Sequence, residues 1–174
     1  MTAAVPLVLF GLQAVLTGLD GQRQTFESTG RKATVILFVS TVCPVSGDYL
    51  PRIEQLWADY GRHDGVRMLV VFPNKTESLA DVRRYASELR VPFPVYRDEG
   101  NVLADALRAA VTPTAVVVDR EGNTVYIGAI DDAVNPARVK RAYVREAIEA
   151  ALAGRALADS VQTAQGCTIK RVRR

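Results

Sequence analysis

The chain has 174 residues, the size of one ordinary domain, and 48% of them are hydrophobic. That supply of core residues beside 24% charged residues excludes intrinsic disorder, and two cysteines are too few for a disulfide-stapled scaffold or a Cys/His zinc site. The net charge of +3 belongs to the end of the chain, because Lys170, Arg171, Arg173 and Arg174 leave the remainder near −1. No basic folded face therefore recommends nucleic acid as a partner.

The most apolar stretch, Ala3 to Leu16, is broken by Pro6, Gly11 and Gln13 and falls short of the roughly 20 residues that span a bilayer. It has the apolar centre of a signal peptide without the charged segment before it. We read it as chain packed on the domain or as the cut edge of a precursor, which leaves the compartment, cytoplasmic or secreted, open. Val15 to Leu19 and Arg23 to Phe26 then flank Asp20-Gly21, a hairpin signal. Ala33 to Val39 is a continuous β-branched run suited to a central strand covered on both faces. Leu50, Ile53, Leu56, Trp57 and Tyr60 recur at helical spacing until Gly61, and Trp57 and the tyrosines belong to the core.

Val66 to Phe72 predicts a second buried strand. Leu79, Val82, Arg83, Ala86 and Leu89 predict an amphipathic helix entered through Asn74 and Thr76. Phe93 to Tyr96 is a short extended segment, Val102 to Ala110 a short helix, and Thr114 to Val118 a third apolar strand. Asp119 to Asn123 turns into Thr124 to Gly128, and Ala137 to Leu152 predicts a last helix ended by Gly154. Strands alternating with helices before a closing hairpin imply an α/β sandwich around a mixed sheet. We place one domain over residues 1–154 and an irregular basic tail over 155–174. Asp131-Asp132 reads as a turn rather than a metal site, and the tail's charges read as solvated.

Cys43 is the residue with chemistry. It stands where a buried strand meets a helix, and Pro44 takes the first helical position, where its missing N–H costs nothing. Free amide donors and the positive end of the helix dipole favour a thiolate there, which lowers the thiol pKa. Ser46 is placed to cap the helix or to donate its hydroxyl to the sulfur. The bland alternative is a buried cysteine acting as a small hydrophobe.

Cys43-Pro-Val-Ser-Gly-Asp-Tyr-Leu-Pro51 resembles the active-site segment of thioredoxins, with Pro51 at the spacing of the helix-kinking proline. Val111-Thr-Pro-Thr114 before an apolar strand resembles the thioredoxin cis-proline loop. The stretch Pro92 to Gly128 is similar to redoxins of the alkyl hydroperoxide reductase/thiol-specific antioxidant and cytochrome-maturation groups, with Asn74 to Arg90 as their strand–helix insertion. The resemblance, over roughly Val15 to Leu152, implies a thioredoxin-like three-layer sandwich with an N-terminal hairpin. It implies a cis Thr112–Pro113 peptide, with Pro44, Thr112 and Pro113 forming the substrate-binding surface. It also points to Glu77, at an acidic position of cytochrome-maturation thioredoxins, as a proton shuttle; the plainer reading is an acid in the first turn of a helix.

The chain departs from those patterns in ways that matter. Ser46 replaces the second cysteine of Cys-x-x-Cys. Ser40 fits the peroxiredoxin Thr/Ser place, but Ile36 stands in its proline place and Pro113 where its arginine falls. Gly47 and the remote His63 leave copper delivery unsupported. Cys167, in Gly166-Cys167-Thr-Ile, is either incidental or a resolving cysteine, as some redoxins of this kind carry in a C-terminal extension. The resulting expectation is a cofactor-free thiol-disulfide oxidoreductase or thiol-dependent antioxidant. Cys43 is its nucleophile and Cys167 its resolving cysteine; its substrates are protein or small-molecule thiols and disulfides, and its electrons come from an external thiol. A peroxiredoxin-like peroxidase and a redox-inactive binding module are the alternatives.

Overall fold

The computed structural model describes residues 11–173, so Ala3 to Phe10 of the apolar N-terminal stretch lie outside the described residues. β1 (Gln13–Gly18) and β2 (Arg23–Glu27) form the expected hairpin, with Gly21 at φ 85° in its turn. β3 (Ala33–Phe38), β4 (Val66–Phe72), β5 (Val95–Arg97), β7 (Thr114–Asp119) and β8 (Thr124–Gly128) complete a seven-stranded sheet in the order β2-β1-β5-β4-β3-β7-β8. β3, β4 and β5 run parallel; β7 returns antiparallel beside β3, and β8 beside β7. The sheet is therefore mixed.

Alternation along β3 and β4 divides the core between the two faces of the sheet. Val35, Leu37, Val70 and Phe72 pack with Ile53 of α1 (Pro44–Tyr60), Val82 of α2 (Leu79–Glu88) and Ile148 of α4 (Tyr143–Leu152). Ile36, Phe38, Leu69 and Val71 pack on the other face with Leu103 of α3 (Val102–Ala106) and with Ile169 near the end of the chain. Full burial of each such side chain is worth about 1.5–3 kcal/mol. The two covered faces make the three layers of a thioredoxin-like sandwich.

Three helix boundaries differ from the sequence expectation, each for a local or tertiary backbone reason. The last helix begins at Tyr143, not Ala137. Asp132 N–H donates to the Arg141 carbonyl (3.1 Å), and the Asp132 carboxylate accepts from Lys140 N–H (2.9 Å). Only a single 3₁₀ turn forms, at Pro136–Arg138. The helix after β4 begins at Ser78, which exchanges hydrogen bonds with Asp81 in a capping box, so Asn74 and Thr76 are not its cap. The short helix from Val102 stops at Ala106, with Arg108 at φ 57° ending any continuation.

Asp131 is buried and paired: Arg52 donates to it at 2.6 Å and Tyr49 at 3.0 Å, which fastens α1 to the loop after β8. Burial and the Asp131 carboxylate push the Tyr49 hydroxyl up to about 12, so it stays a donor. Among the described residues, no helix is long and apolar enough to cross a membrane.

Beyond Gly154 the chain is mostly irregular in conformation yet closely seated. Ile127 N–H donates to the Ser160 carbonyl (2.9 Å) and Gln162 N–H to the Ile127 carbonyl (3.0 Å). Gly128, at φ 153°, leaves only 2.1 Å between a would-be Cβ and the Gln162 carbonyl oxygen. The chain then crosses to β6 (Val111–Thr112) and pairs with it through β9 (Cys167–Thr168). The basic end, expected to be solvated, is partly engaged: Arg171 pairs with Asp105 at 2.7 Å and donates to the Ala109 carbonyl at 2.5 Å.

Candidate active site

β3 carries the chain to a tight loop whose three amides are all held by side chains. Ser40 N–H donates to Ser46 Oγ (3.2 Å), Thr41 N–H to a Glu77 carboxylate oxygen, and Val42 N–H to Ser40 Oγ (3.3 Å). Cys43 follows as the N-cap of α1, extended at φ −90° and ψ 114°, with Pro44 opening the helix. No side chain caps this helix, so the capping role allowed for Ser46 is not the one it plays. Ser46, 1% exposed, holds the loop and faces the sulfur instead.

The Cys43 side chain is buried, and its protonated thiol donates to the Thr112 carbonyl at 3.1 Å. The Thr112–Pro113 peptide is cis, as expected from the sequence. Thr112 lies opposite Cys167 in the β6–β9 pair, which sets the second cysteine beside the first. Both thiols are free. Burial alone would raise the Cys43 pKa. Hydrogen bonds from the Cys167 thiol, from Ser46 N–H and hydroxyl, and from Cys167 N–H outweigh it and hold Cys43 below an ordinary thiol. Cys167 moves the other way, its proton retained by the hydrogen bond to Cys43 and by partial burial. On ionisation Cys43 gives up its bond to the Thr112 carbonyl, and these donors take over.

Glu77 is not in a helical turn. It precedes the Ser78 cap and is 2% exposed, with its second carboxylate oxygen accepting from Asn74 Nδ2 at 2.6 Å. Asn74, absent from the expected site, is a strut between the two cysteine segments: its Oδ1 accepts from Lys170 N–H at 2.7 Å. Gly166 and Ile169 were also missed. The available signal was the pattern Gly-Cys-Thr-Ile, a short alternation whose aliphatic member needs a seat. A groove of about 310 Å³ bordered by Thr41, Val42, Thr76, Glu77 and Tyr85 opens beside the nucleophile loop. The larger cavity, about 620 Å³ between Lys32, Asp119 and Gly154, is lined by neither cysteine.

This arrangement defines a thioredoxin-fold protein with a helix-capping cysteine beside a cis-proline loop. Residues 9–127 match the AhpC/TSA family, and the chain belongs to that family. It is similar to the crystal structure of an uncharacterized conserved protein from Geobacillus kaustophilus, with TM-score 0.83 and 30% identity over 94% of this chain and 91% of that one. A hypothetical protein from Sinorhizobium meliloti matches with TM-score 0.81 and 26% identity, over 98% of this chain and 97% of that one. The thiol-disulfide oxidoreductase ResA of Halalkalibacterium halodurans is 26% identical over 113 residues, 65% of this chain and 62% of that protein. The chain thus spans less than two thirds of the length of that curated relative.

Proposed function

We propose that the protein is a thiol-disulfide oxidoreductase with Cys43 as nucleophile and Cys167 as resolving cysteine. The observation that carries this reading is the pairing of Thr112 with Cys167, which sets the second thiol at the lowered-pKa Cys43. ResA, similar to this chain, is itself called a thiol-disulfide oxidoreductase, which supports the same class.

The Cys43 thiolate attacks one sulfur of a substrate disulfide. The other substrate sulfur leaves as a thiolate and takes a proton from water. Cys167, once deprotonated, attacks Cys43 Sγ and expels the second substrate thiol, leaving a Cys43–Cys167 disulfide. An external thiol then returns two electrons. Pro44, Thr112 and Pro113 form the surface that receives the substrate. Glu77 positions the nucleophile loop through Thr41, because both its oxygens are occupied by fixed donors. Pro113 stands where the peroxiredoxin arginine falls, which favours disulfide exchange over peroxide reduction.

Mild diamide oxidation followed by mass spectrometry tests the proposal. The wild type is expected to yield the intramolecular Cys43–Cys167 disulfide, and Cys167→Ser to accumulate a mixed disulfide at Cys43. Two free thiols, or links only between molecules, would overturn it. A Cys43 that resists alkylation near neutral pH would indicate the redox-inactive binding module.

A further inference from the structure

The edge beside Cys43 is already occupied by the protein's own chain. β6 lies outside the central sheet, and its pairing groups are taken by β9, with Thr112 opposite Cys167 and Val111 opposite Thr168. An extended segment from another protein would need those same edge groups.

The seat is selective on both sides of the cysteine. At Gly166 a Cβ would fall 2.0 Å from the Thr112 carbonyl oxygen and 3.1 Å from Pro113 Cδ. The first obstacle is backbone and cannot swing aside. Two residues after Cys167, on the same side of an extended segment, Ile169 is 3% exposed and packs in the cluster of Leu103, Leu107 and Ala109. Thr168, between them, is exposed. Main-chain bonds grip the segment: Ile169 N–H to the Ala110 carbonyl (3.0 Å), Lys170 N–H to Asn74 Oδ1 (2.7 Å), and Lys75 N–H to the Lys170 carbonyl (2.9 Å).

We propose that this groove reads extended cysteine-containing protein segments of the pattern Gly-Cys-x-Ile, and that residues 166–170 are its intramolecular ligand. The inference deepens the reading of Cys43 as nucleophile and rests on it. The partner is a protein segment with glycine before its cysteine and a branched aliphatic residue two positions after it. Such a segment engages Cys43 only when the tail leaves, because the tethered copy competes at the high effective concentration of an intramolecular ligand. The chemistry is the exchange already written: a new S–S bond forms between Cys43 and the segment's cysteine, and that cysteine's former partner departs as a thiolate.

The test uses the full chain carrying Cys167→Ser, which leaves Cys43 as its only thiol. The probe is a peptide of residues 163–171 whose cysteine is joined to 2-thiopyridine. 2,2′-Dithiodipyridine is the small disulfide with the same leaving group. Release of pyridine-2-thione gives both rates, and their ratio cancels changes in Cys43 ionisation. Adding Arg171→Ala, which removes a tail anchor remote from the sulfurs, is expected to raise the peptide-to-small ratio about tenfold. Gly166→Val, which cannot fit against Thr112, is the second release variant, and faster amide exchange at Ile169 and Lys170 confirms release in each. In the released protein, alanine for the probe's glycine or isoleucine lowers the ratio about tenfold, whereas alanine for the threonine between its cysteine and isoleucine changes it less than about twofold. A released tail with an unchanged ratio, or a probe series without discrimination, overturns the groove. Thione release from neither disulfide overturns Cys43 as nucleophile and the groove with it.

Discussion

Cys43 and Cys167 are the same chemical group in two opposite settings. Cys43 is buried, stands at the N-cap position of a long helix, and faces donors from Ser46 of α1 and from Cys167 itself. Cys167 is exposed, and a two-residue strand and a few main-chain bonds hold it. The first environment favours the thiolate and the second the thiol, so the proton sits on the cysteine that leaves the other free to attack. Such a division of roles does not come from cysteine chemistry. It comes from how many directed N–H and O–H groups each backbone can bring to a sulfur.

Removing one member of the pair should show the asymmetry at its largest. Cys43→Ser is expected to abolish disulfide reduction, measured by turnover of a dye-labelled disulfide. Cys167→Ser should instead retain the first attack and stall at the mixed disulfide. Equal losses in a single-turnover assay would mean that the two cysteines do not hold separate roles.

The apolar seats of the two segments should differ in stability. Ile53→Ala, in the core under α1, leaves a cavity that cannot collapse and should cost about 3–4 kcal/mol in urea unfolding. Ile169→Ala should cost less, about 1–2 kcal/mol, because the tail can detach in place of leaving a void. A cost for Ile169→Ala as large as for Ile53→Ala would make the tail part of the main cooperative unit.

The clamp on the nucleophile loop is the next smaller effect. Both Glu77 oxygens accept from N–H groups, and Glu77→Gln puts an amide donor against one of them, at a cost of about 1–3 kcal/mol. Its urea midpoint should fall, and the alkylation rate of Cys43 should change with it. An unaltered midpoint would remove Glu77 from the site's support.

Titration resolves the pair without disrupting it. Alkylation of Cys43 is expected to show a midpoint below about 8.5, the free-thiol value, and Cys167→Ala should move that midpoint upward by removing a donor. The signs for stability are opposite. Cys43, lowered in the folded state, contributes stability that is present above the unfolded-chain value and lost as pH falls through its folded value. Cys167, raised in the folded state, contributes below the unfolded-chain value and loses it as pH rises through its own folded value. Stability should therefore climb with pH toward about 8.5 and decline beyond it. Cys43→Ser should remove the climb and weaken the decline, because Cys43 is the main cause of the raised Cys167 value.

The smallest effect is expected at an exposed ion pair on α2. Arg84→Ala breaks an exposed pair with Asp81 and should leave the urea midpoint and the exchange rate unchanged within error.

Local order carried much of this protein in its sequence. Unbroken β-branched runs such as Ala33 to Phe38 can be satisfied only by a strand covered on both faces. Cys43-Pro44 marked the strand–helix junction because Pro is tolerated there and almost nowhere else in a helix. Cys43 and its helix were legible for that reason, and the cis-proline loop through its resemblance to that of thioredoxins. Where backbone groups are claimed by distant partners, sequence was silent. Asp132 holds off the start of the last helix, Asn74 serves as a strut to Lys170 instead of a cap, and Glu77 is buried against Thr41. The tail is the clearest case. Its weak periodicity predicted little, yet a close approach at Gly166, a seat for Ile169 and a short pairing with β6 place Cys167 at Cys43. Sequence by itself determined which cysteine could be a nucleophile, because helix capping is local. Only the tertiary structure decided what faces that cysteine, because a hydrogen bond between residues far apart in the chain leaves no local periodicity to read.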